Sequence, residues 1–275
     1  MQPDKTIKCG SAPDQTALGQ IFVPLQRIIP FSNVEGSGNR ISIFLQGCKL
    51  NCLYCHNPET IARYSADSSL VSLDYLYRQV RSSMPFIRGV TVSGGEPTIH
   101  HRKLVPFFHA VHELGLSCYL DSSGFFDFDM TQELIAVTDK FLFDVKGIGA
   151  GLQTLCLDRK NRAGLVSQQA DLTVRIKPEN RERNLNNLVR LLRLGKVEEV
   201  RVVLIKGYFD LYELLARVAA LLKPYPEVLF KLIRVHAKGS RDPSAIERLM
   251  PTADEMNHMT AYVKALGIEK TVAIY

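Results

Sequence analysis

The chain has 275 residues, of which 34 are Lys or Arg and 28 are Asp or Glu, so its formal net charge is +6 and its pI is near 9.0. Its hydrophobic fraction of 46% is ordinary for a globular protein with one large core. No apolar run is long enough for a membrane-spanning helix, and the basic residues are scattered rather than gathered in a nucleic-acid motif. We therefore expect neither a membrane nor a nucleic acid as a partner.

The first segment, residues 1–24, mixes polar residues, glycine and proline without periodicity, which predicts an irregular extension ahead of a core domain at 25–275. It carries charged residues and no apolar run, so it does not resemble a secretory signal. Reduced cysteines and a cytoplasmic location are then expected. Cys9 lies in this segment, far from the other cysteines, and is interpreted as a surface thiol without a function.

The next stretch is a buried strand at residues 41–46 followed by a loop that contains three of the six cysteines, Cys48, Cys52 and Cys55. The spacing Cys-x-x-x-Cys-x-x-Cys lets three thiolates face one point, which suits three irons of a [4Fe-4S] cluster. Thiolate-only ligation of such a cluster takes four cysteines, and no fourth follows nearby. The triad therefore predicts one iron whose coordination position is left for a small molecule.

Two simpler interpretations of the triad remain open at this point. A Cys3His zinc site would use His56 as the fourth ligand, although directly adjacent ligands are unusual for zinc. A set of disulfides is compatible with an even number of cysteines, although a chain without a secretory signal is expected to keep its thiols reduced.

Downstream of the cysteines, helical and strand patterns alternate. After a helix near residues 73–80, strands are predicted at 89–92, 116–120, 141–143, 200–205, 228–235 and Thr271–Ile274, and helices at 102–114, 131–137, 183–194, Leu211–Leu222 and 254–266. Residues 147–182 fit the pattern least; they contain a basic run at 158–162 and a strand-like stretch at 172–176, and are interpreted as an inserted loop.

This alternation predicts parallel strands joined by helical crossovers. Polar or glycine-rich residues follow the strands, and in parallel barrels that end of the sheet carries the active site. We therefore expect one cavity to collect Cys48, Gly94, Asp121, Asp144 and His236.

The cysteine spacing, with Tyr54 directly before the last cysteine, resembles the cluster motif of radical S-adenosylmethionine (SAM) enzymes. The lead-in EGSGNR at residues 35–40 and the trailing CHNP at 55–58 resemble the activases of glycyl radical enzymes, most of all the YjjW-type branch. The similarity extends from about Ile28 to His236. It implies a partial (β/α)6 barrel, an α/β fold with a parallel sheet and outer helices, and it implies a [4Fe-4S] cluster and SAM as cofactors.

The resemblance also implies which residues contact SAM. Gly94 and Gly95 match the family's GGE motif, which lies against the methionine end of SAM, and Glu96 would offer a carboxylate there. Asp144-Val145-Lys146 resembles an Asp-Leu-Lys motif, in which Lys146 would pair with the SAM carboxylate.

Three further contacts are implied in the same way. The segment beginning at Asp121 resembles an Asp-Thr-Asn-Gly segment that helps to hold a monovalent cation, although Ser123 replaces the asparagine. His236 would contact the nucleoside half of SAM, while Tyr54 and His56 would contact the adenine.

The implied activity is reductive cleavage of SAM to a 5′-deoxyadenosyl radical, which abstracts a hydrogen from a backbone glycine of a glycyl radical enzyme under anaerobic conditions. A flavodoxin or ferredoxin-type protein would supply the electron, steered by basic groups near the cluster. A radical SAM enzyme for a small molecule and a non-catalytic iron–sulfur or zinc protein are the alternatives. Cys118 and Cys156 are predicted to be buried thiols, and the absence of cysteine from residues 57–91 predicts a single cluster.

Overall fold

The computed structural model describes residues 15–157 and 181–275. Within these ranges nine strands form one sheet in the order β3-β1-β2-β4-β5-β6-β7-β8-β9. The strands are β1 Phe22–Ser32, β2 Arg40–Leu45, β3 Ser69–Ser72, β4 Gly89–Gly94, β5 Ser117–Ser122, β6 Lys140–Val145, β7 Val197–Leu204, β8 Leu229–Arg234 and β9 Thr271–Ile274. The helices are α1 Gln15–Gly19, α2 Leu73–Ser83, α3 His101–Glu113, α4 Gln132–Val137, α5 Gly149–Leu157, α6 Arg183–Arg193, α7 Leu211–Leu222, α8 Pro243–Leu249 and α9 Ala253–Ala265.

The sheet is parallel from β2 to β9, and only β1 runs antiparallel to its neighbours β2 and β3 among the described pairs. Helices connect most of the parallel strands, as a parallel sheet requires. The predicted α/β fold with a parallel sheet and outer helices is therefore confirmed. Among the described residues, every helix is too short or too polar to cross a membrane.

The helices are held by caps and by one apolar face, and α7 is the clearest example. Asp210 accepts hydrogen bonds from the backbone N–H groups of Tyr212 and Glu213 at 2.8 and 3.2 Å, which satisfies donors that the first turn leaves unpaired. Its buried residues, Leu214, Leu215, Val218, Ala219 and Leu222, follow the helical period and join the main core. Each buried leucine or valine contributes about 1.5–3 kcal/mol by leaving water.

Several elements differ from the predictions. The helix α1 and the first residues of β1 lie within residues 1–24, which were predicted to be irregular, and α5 and α8 were not predicted. Prolines at positions 24 and 30 obscure the alternation of β1; Pro30 is tolerated because it lies where the pairing with β2 is irregular. Cys9 and the stretches 158–162 and 172–176 lie outside the described residues.

The carboxyl ends of the parallel strands meet at one edge of the sheet. Leu45 pairs with Gly94 at the ends of β2 and β4, Asp144 pairs with Arg201 in β6 and β7, and Leu204 pairs with Arg234 in β7 and β8. This register brings the residues that follow each strand to a common side, which we call the carboxyl edge. The opposite side, where the same strands begin, is the amino edge.

Candidate active site

A cavity of about 270 Å³ opens at the carboxyl edge of the sheet. It is lined by every site residue predicted from the sequence except His236, namely Cys48, Cys52, Tyr54, Cys55, His56, Gly94, Gly95, Asp121, Asp144 and Lys146. The wall also contains Glu35, Ser93, Ser123 and Arg201. Residues from the strands β4 to β7 and from the loops on either side of β2 are thus brought to a single space, as the alternating pattern predicted.

The loop that carries the three cysteines is fixed by backbone hydrogen bonds on two sides. The N–H of Cys48 donates to the carbonyl of Ile61 at 3.0 Å. On the other side, the N–H of Asn51 donates to the carbonyl of Cys156 at 2.7 Å and that of Leu53 to Leu155 at 2.9 Å. The end of α5 therefore supports the cysteine loop.

Arg241 is a further support that the sequence did not reveal. Its guanidinium donates to the side-chain oxygen of Asn51 at 2.7 Å and to the carbonyl of Cys52 at 2.8 Å. These contacts join the cysteine loop to the segment before α8, 189 residues away along the chain. A lone arginine between β8 and α8 carries no pattern that would predict such a contact.

The donor set of the loop fits an iron–sulfur cluster better than a single zinc ion. Three thiols line the cavity. A single tetrahedral zinc ion, with Zn–S bonds of about 2.3 Å, would hold its sulfurs about 3.8 Å apart. In the described part of the chain, one group of three ligands has donor atoms that all lie within 4.8 Å of one another, namely His112, Cys118 and Asp139. The sulfur atoms of the cysteine triad do not all lie within this distance of one another.

His56 is also poorly placed to complete a Cys3His zinc site. Its Nε2 lies 3.0 Å from the carbonyl oxygen of His236, and its ring stacks on the ring of His236 with centroids 3.9 Å apart. To bind zinc through Nε2, His56 would have to give up its contact with a protein carbonyl that cannot follow it as a ligand.

The thiols of the triad must lose protons when metal binds. Burial is the main reason that the pKa of the Cys55 thiol rises to about 11, and burial likewise raises the pKa of Cys48. A bound cation reverses this preference by stabilising thiolates. Assembly of a metal centre here is accordingly expected to release protons.

Gly94 and Gly95 allow the end of β4 to lie against the cysteine loop. A Cβ atom on Gly94 would be 2.2 Å from the carbonyl oxygen of Leu45, and one on Gly95 would be 2.1 Å from that of Gly47. The two backbones come close enough to form hydrogen bonds: the N–H of Gly95 donates to the carbonyl of Leu45 at 2.9 Å, and that of Glu96 donates to the carbonyl of Gly47 at 2.8 Å. Any larger side chain would displace the cysteine loop.

Glu96 lies behind the wall of the cavity. It is 2% exposed and does not line the cavity. Its Oε1 accepts hydrogen bonds from Thr98 Oγ1 at 2.7 Å and Ser122 Oγ at 2.9 Å, and its Oε2 accepts from the N–H of Ser123 at 2.9 Å. The carboxylate therefore joins the loops after β4 and β5, and protein donors take up its oxygens in place of a ligand.

Charged side chains on the cavity wall are paired with one another. Lys146 Nζ lies 2.6 Å from Asp144 Oδ2. Burial opposes the charge of Lys146, but Asp144 and its neighbours raise its pKa well above the ordinary value, so it is positive at neutral pH.

A second pair joins Asp121 and Arg201. Arg201 Nη1 lies 3.1 Å from Asp121 Oδ2, which also accepts from Ser93 Oγ at 3.0 Å. Burial raises the pKa of Asp121 to about 6 although Arg201 opposes the shift. Arg201 also contacts Glu199, which in turn contacts Lys231. Glu199 and Lys231 were not predicted, although Glu199 stands two residues before Arg201 and so faces the same side of β7.

His236 follows β8 but does not line the cavity. It is exposed, and its contact with the site is the ring stacking on His56 described above. Its predicted contact with the nucleoside half of SAM remains a prediction.

Known proteins show what this site is similar to. A Haemophilus influenzae protein named as a glycyl-radical enzyme activating enzyme is 63% identical over 260 residues, which cover 94% of this chain and 99% of that protein. This chain belongs to the glycyl-radical enzyme activating enzyme family. The model of a 4Fe-4S single cluster domain matches residues 34–148, which include the cysteine loop and the wall up to Lys146. The resemblance drawn from the sequence is thereby confirmed.

A more distant relative and one solved structure are also similar to this chain. The pyruvate formate-lyase-activating enzyme of Streptococcus mutans is 27% identical over 220 residues, which cover 76% of each chain. The crystal structure of Streptococcus suis SuiB superimposes with a TM-score of 0.54 at 14% identity, over 85% of this chain and 48% of that one. At this identity the superposition shows a similar fold and nothing about function.

Proposed function

We propose that this member of the family generates a glycyl radical on a partner glycyl radical enzyme. The observation that carries the proposal is the cavity at the carboxyl edge, in which three thiols face paired charges, in a chain 63% identical to a protein named for this activity. Cys48, Cys52 and Cys55 would hold a [4Fe-4S] cluster. With SAM bound, that cluster supplies a 5′-deoxyadenosyl radical.

The wall residues would bind and orient SAM. Lys146 is positive and lines the cavity, so its ammonium group can pair with the carboxylate of SAM beside Asp144. Gly94 and Gly95 line the cavity with backbone alone, which suits a ligand packed against the backbone. Tyr54 is 4% exposed and would form an apolar wall beside the adenine, with His56.

A monovalent cation is proposed beside SAM. Oxygen atoms of Asp121, Ser123 and Asp144 line the same wall of the cavity. Carboxylate and hydroxyl oxygens suit a hard cation, which would also offset the negative charge of the two carboxylates. The ligand set survives the replacement of asparagine by Ser123, because the hydroxyl is also an oxygen donor.

The proposed activity is tested by incubating the anaerobically reconstituted, reduced protein with SAM and the glycyl radical enzyme encoded beside it. We expect a doublet glycyl radical signal by electron paramagnetic resonance and one 5′-deoxyadenosine released per radical. SAM cleavage without a glycyl radical on the protein partner would reject the activase and favour a small-molecule substrate. Zinc in place of iron, with SAM left intact, would reject radical chemistry altogether.

An acidic one-electron donor of the flavodoxin or ferredoxin type is proposed to dock beside the cysteine loop. A second cavity of about 630 Å³ borders the segment that leads into Cys48, and its wall includes Arg63, Arg102 and Lys103 but no Asp or Glu. Burial lowers the pKa of His101, and the nearby charges of Arg102 and Lys49 lower it further, which reflects the same positive potential. Exposed Tyr64 adds an apolar surface to this basic rim.

The donor surface is tested by reversing its charge. Because complementary charge mainly raises association rates, Arg102→Glu with Lys103→Glu should slow reduction of the cluster by an acidic flavodoxin at least tenfold at low salt. The exposed Lys264→Glu in α9 is the control and should leave the rate unchanged. Photochemical reduction should be equal in all three proteins. If flavodoxin reduces the cluster of the charge-reversed protein as fast as that of the wild type, this docking surface is refuted, and the proposed activity is unaffected by that result.

The predicted compartment also remains a proposal. The five cysteines of the described residues are free thiols, which suits a reducing, anaerobic cytoplasm.

A further inference from the structure

Three metal-binding side chains meet at the amino edge of the sheet, away from the active-site cavity. His112 lies in the last turn of α3, Cys118 is the second residue of β5, and Asp139 directly precedes β6. One donor atom from each residue lies within 4.8 Å of the other two. None of the three lines the cavity at the carboxyl edge, and the proposed activity uses none of them.

The three residues are held in place by contacts that do not depend on a metal. Asp139 Oδ2 accepts a hydrogen bond from the backbone N–H of Cys118 at 2.7 Å, and the N–H of Asp139 donates to the carbonyl of Cys118 at 2.9 Å. His112 Nε2 lies 2.9 Å from the same carboxylate oxygen. The Cys118 thiol contacts the carbonyl of Phe108 at 3.8 Å, a long distance even for sulfur.

The ligand types are those of a tetrahedral zinc site. Zinc takes thiolate, imidazole and carboxylate ligands, and its bond lengths place neighbouring donors about 3.3–3.6 Å apart. The distance of 2.9 Å between His112 and Asp139 would therefore have to widen by only a few tenths of an ångström. Magnesium and calcium prefer ligand sets made of oxygen, so sulfur and nitrogen select a zinc-like ion.

Access and charge suit a partly exposed ion. Cys118 is completely buried, whereas the side chains of His112 and Asp139 are 33% and 44% exposed, so an ion can enter from solvent with water as its fourth ligand. A thiolate and a carboxylate together neutralise a divalent cation. The nearby Lys196 weakens the negative potential, but its ammonium group donates to two backbone carbonyls.

We propose that His112, Cys118 and Asp139 form a mononuclear site for a zinc-like divalent ion, which joins the end of α3 to β5 and β6. This site is separate from the cluster and would act as a structural clamp. It is independent of the proposed activity, because it requires neither SAM nor a partner enzyme.

The test uses the full chain with Cys48, Cys52 and Cys55 replaced by alanine, so that the cysteine triad cannot bind zinc. After dialysis against Zn²⁺ and removal of loose metal, this protein should retain about one equivalent of zinc, and its Tm should rise with free zinc. His112→Ala should lose both the bound zinc and the rise in Tm. His109→Ala, an exposed histidine on the same helix, is the matched control and should lose neither.

Cobalt provides a second measurement that reports on sulfur directly. Co²⁺ in the site should show a thiolate charge-transfer band that disappears in Cys118→Ser. If the substitution of the buried Cys118 prevents folding, the loss of the band in the partly exposed His112→Ala is the result to use. In the cluster-loaded wild type, zinc should be found in addition to iron. Equal zinc retention in His112→Ala and His109→Ala, or a cobalt spectrum without a thiolate band, would overturn the proposal.

Discussion

The two edges of the sheet bury charge in different ways. At the carboxyl edge Lys146 and Asp144 are paired with each other and face a cavity. At the amino edge Arg40 is 1% exposed and donates to Thr91 Oγ1 at 2.8 Å, to the carbonyl of Val90 at 2.9 Å and to Ser117. Its guanidinium also lies 3.6 Å from the centre of the Tyr119 ring.

The two buried charges differ in whether they are available to bind a ligand. Arg40 donates to neutral acceptors of the protein, so its role is to fix the beginning of β2 and the lead-in segment. Lys146 is paired with the Asp144 side chain at the wall of the cavity, so its ammonium group can pair with an anion that enters the cavity. Substitutions at the amino edge should therefore lower stability, while those at the carboxyl edge should lower ligand binding.

The largest effect is expected for the cysteine triad. Cys52→Ala removes one of three thiolates that have no substitute in the loop, so iron and sulfide should fall close to zero after anaerobic reconstitution and SAM cleavage should be abolished. The exposed His109→Ala in α3 is the control and should keep the iron content. Wild-type iron content in Cys52→Ala would mean that the cluster is held elsewhere.

The next effect concerns Arg40. Arg40→Met keeps much of the side-chain volume but leaves several buried acceptors without a donor, each at about 1–3 kcal/mol when fully unsatisfied, so we expect a loss of about 3 kcal/mol in the free energy of unfolding. Urea unfolding of the apo protein measures it. The exposed Arg193→Met in α6 should change this free energy by less than about 0.5 kcal/mol. A marginal effect of Arg40→Met would mean that the amino edge does not depend on this network.

The sequence predicted best the features that depend on neighbours along the chain. The helix Leu211–Leu222 was predicted with its bounds because an N-cap and an apolar period mark it. The helix α5 was missed because Gly149 and Gly151 weaken the helical pattern; yet Gly151 is needed there, since a Cβ atom would lie 1.7 Å from the carbonyl oxygen of Tyr208.

The same limit applies to the site. Cys48 and the wall residues could be found because each stands in a motif at a strand end. Arg241 could not, because its role depends on a contact with Asn51 that only the folded chain creates. Glu96 has the expected position in its motif, but Ser122 and Ser123 donate to its carboxylate, and a motif does not specify which protein groups a side chain contacts.

A smaller effect is expected for Lys146, which tests the carboxyl edge without removing the cluster. Lys146→Met should keep iron content but weaken SAM binding about 10- to 100-fold, because a charge-assisted hydrogen bond contributes about 1.5–3 kcal/mol. Lys140→Met is the matched control at the beginning of the same strand, where the ammonium group donates to the carbonyl of Gly195. Equilibrium binding of SAM to the anaerobic holoprotein separates the two. Equal SAM affinity in both variants would show that Lys146 does not bind the ligand.

The smallest effect is a pH dependence of stability that originates at Asp121. Its pKa is raised by burial from 3.8 to about 6 in the folded protein, so between these values the folded state binds a proton that the unfolded state has released. The free energy of unfolding should therefore decrease as pH rises from about 4 to 6 and lose this dependence above that range. Asp121→Asn, which keeps the shape but cannot ionise, should remove this component from urea unfolding of the apo protein. The exposed Asp127→Asn should retain it, and identical pH profiles for wild type and Asp121→Asn would show that the pair with Arg201 keeps Asp121 ionised throughout.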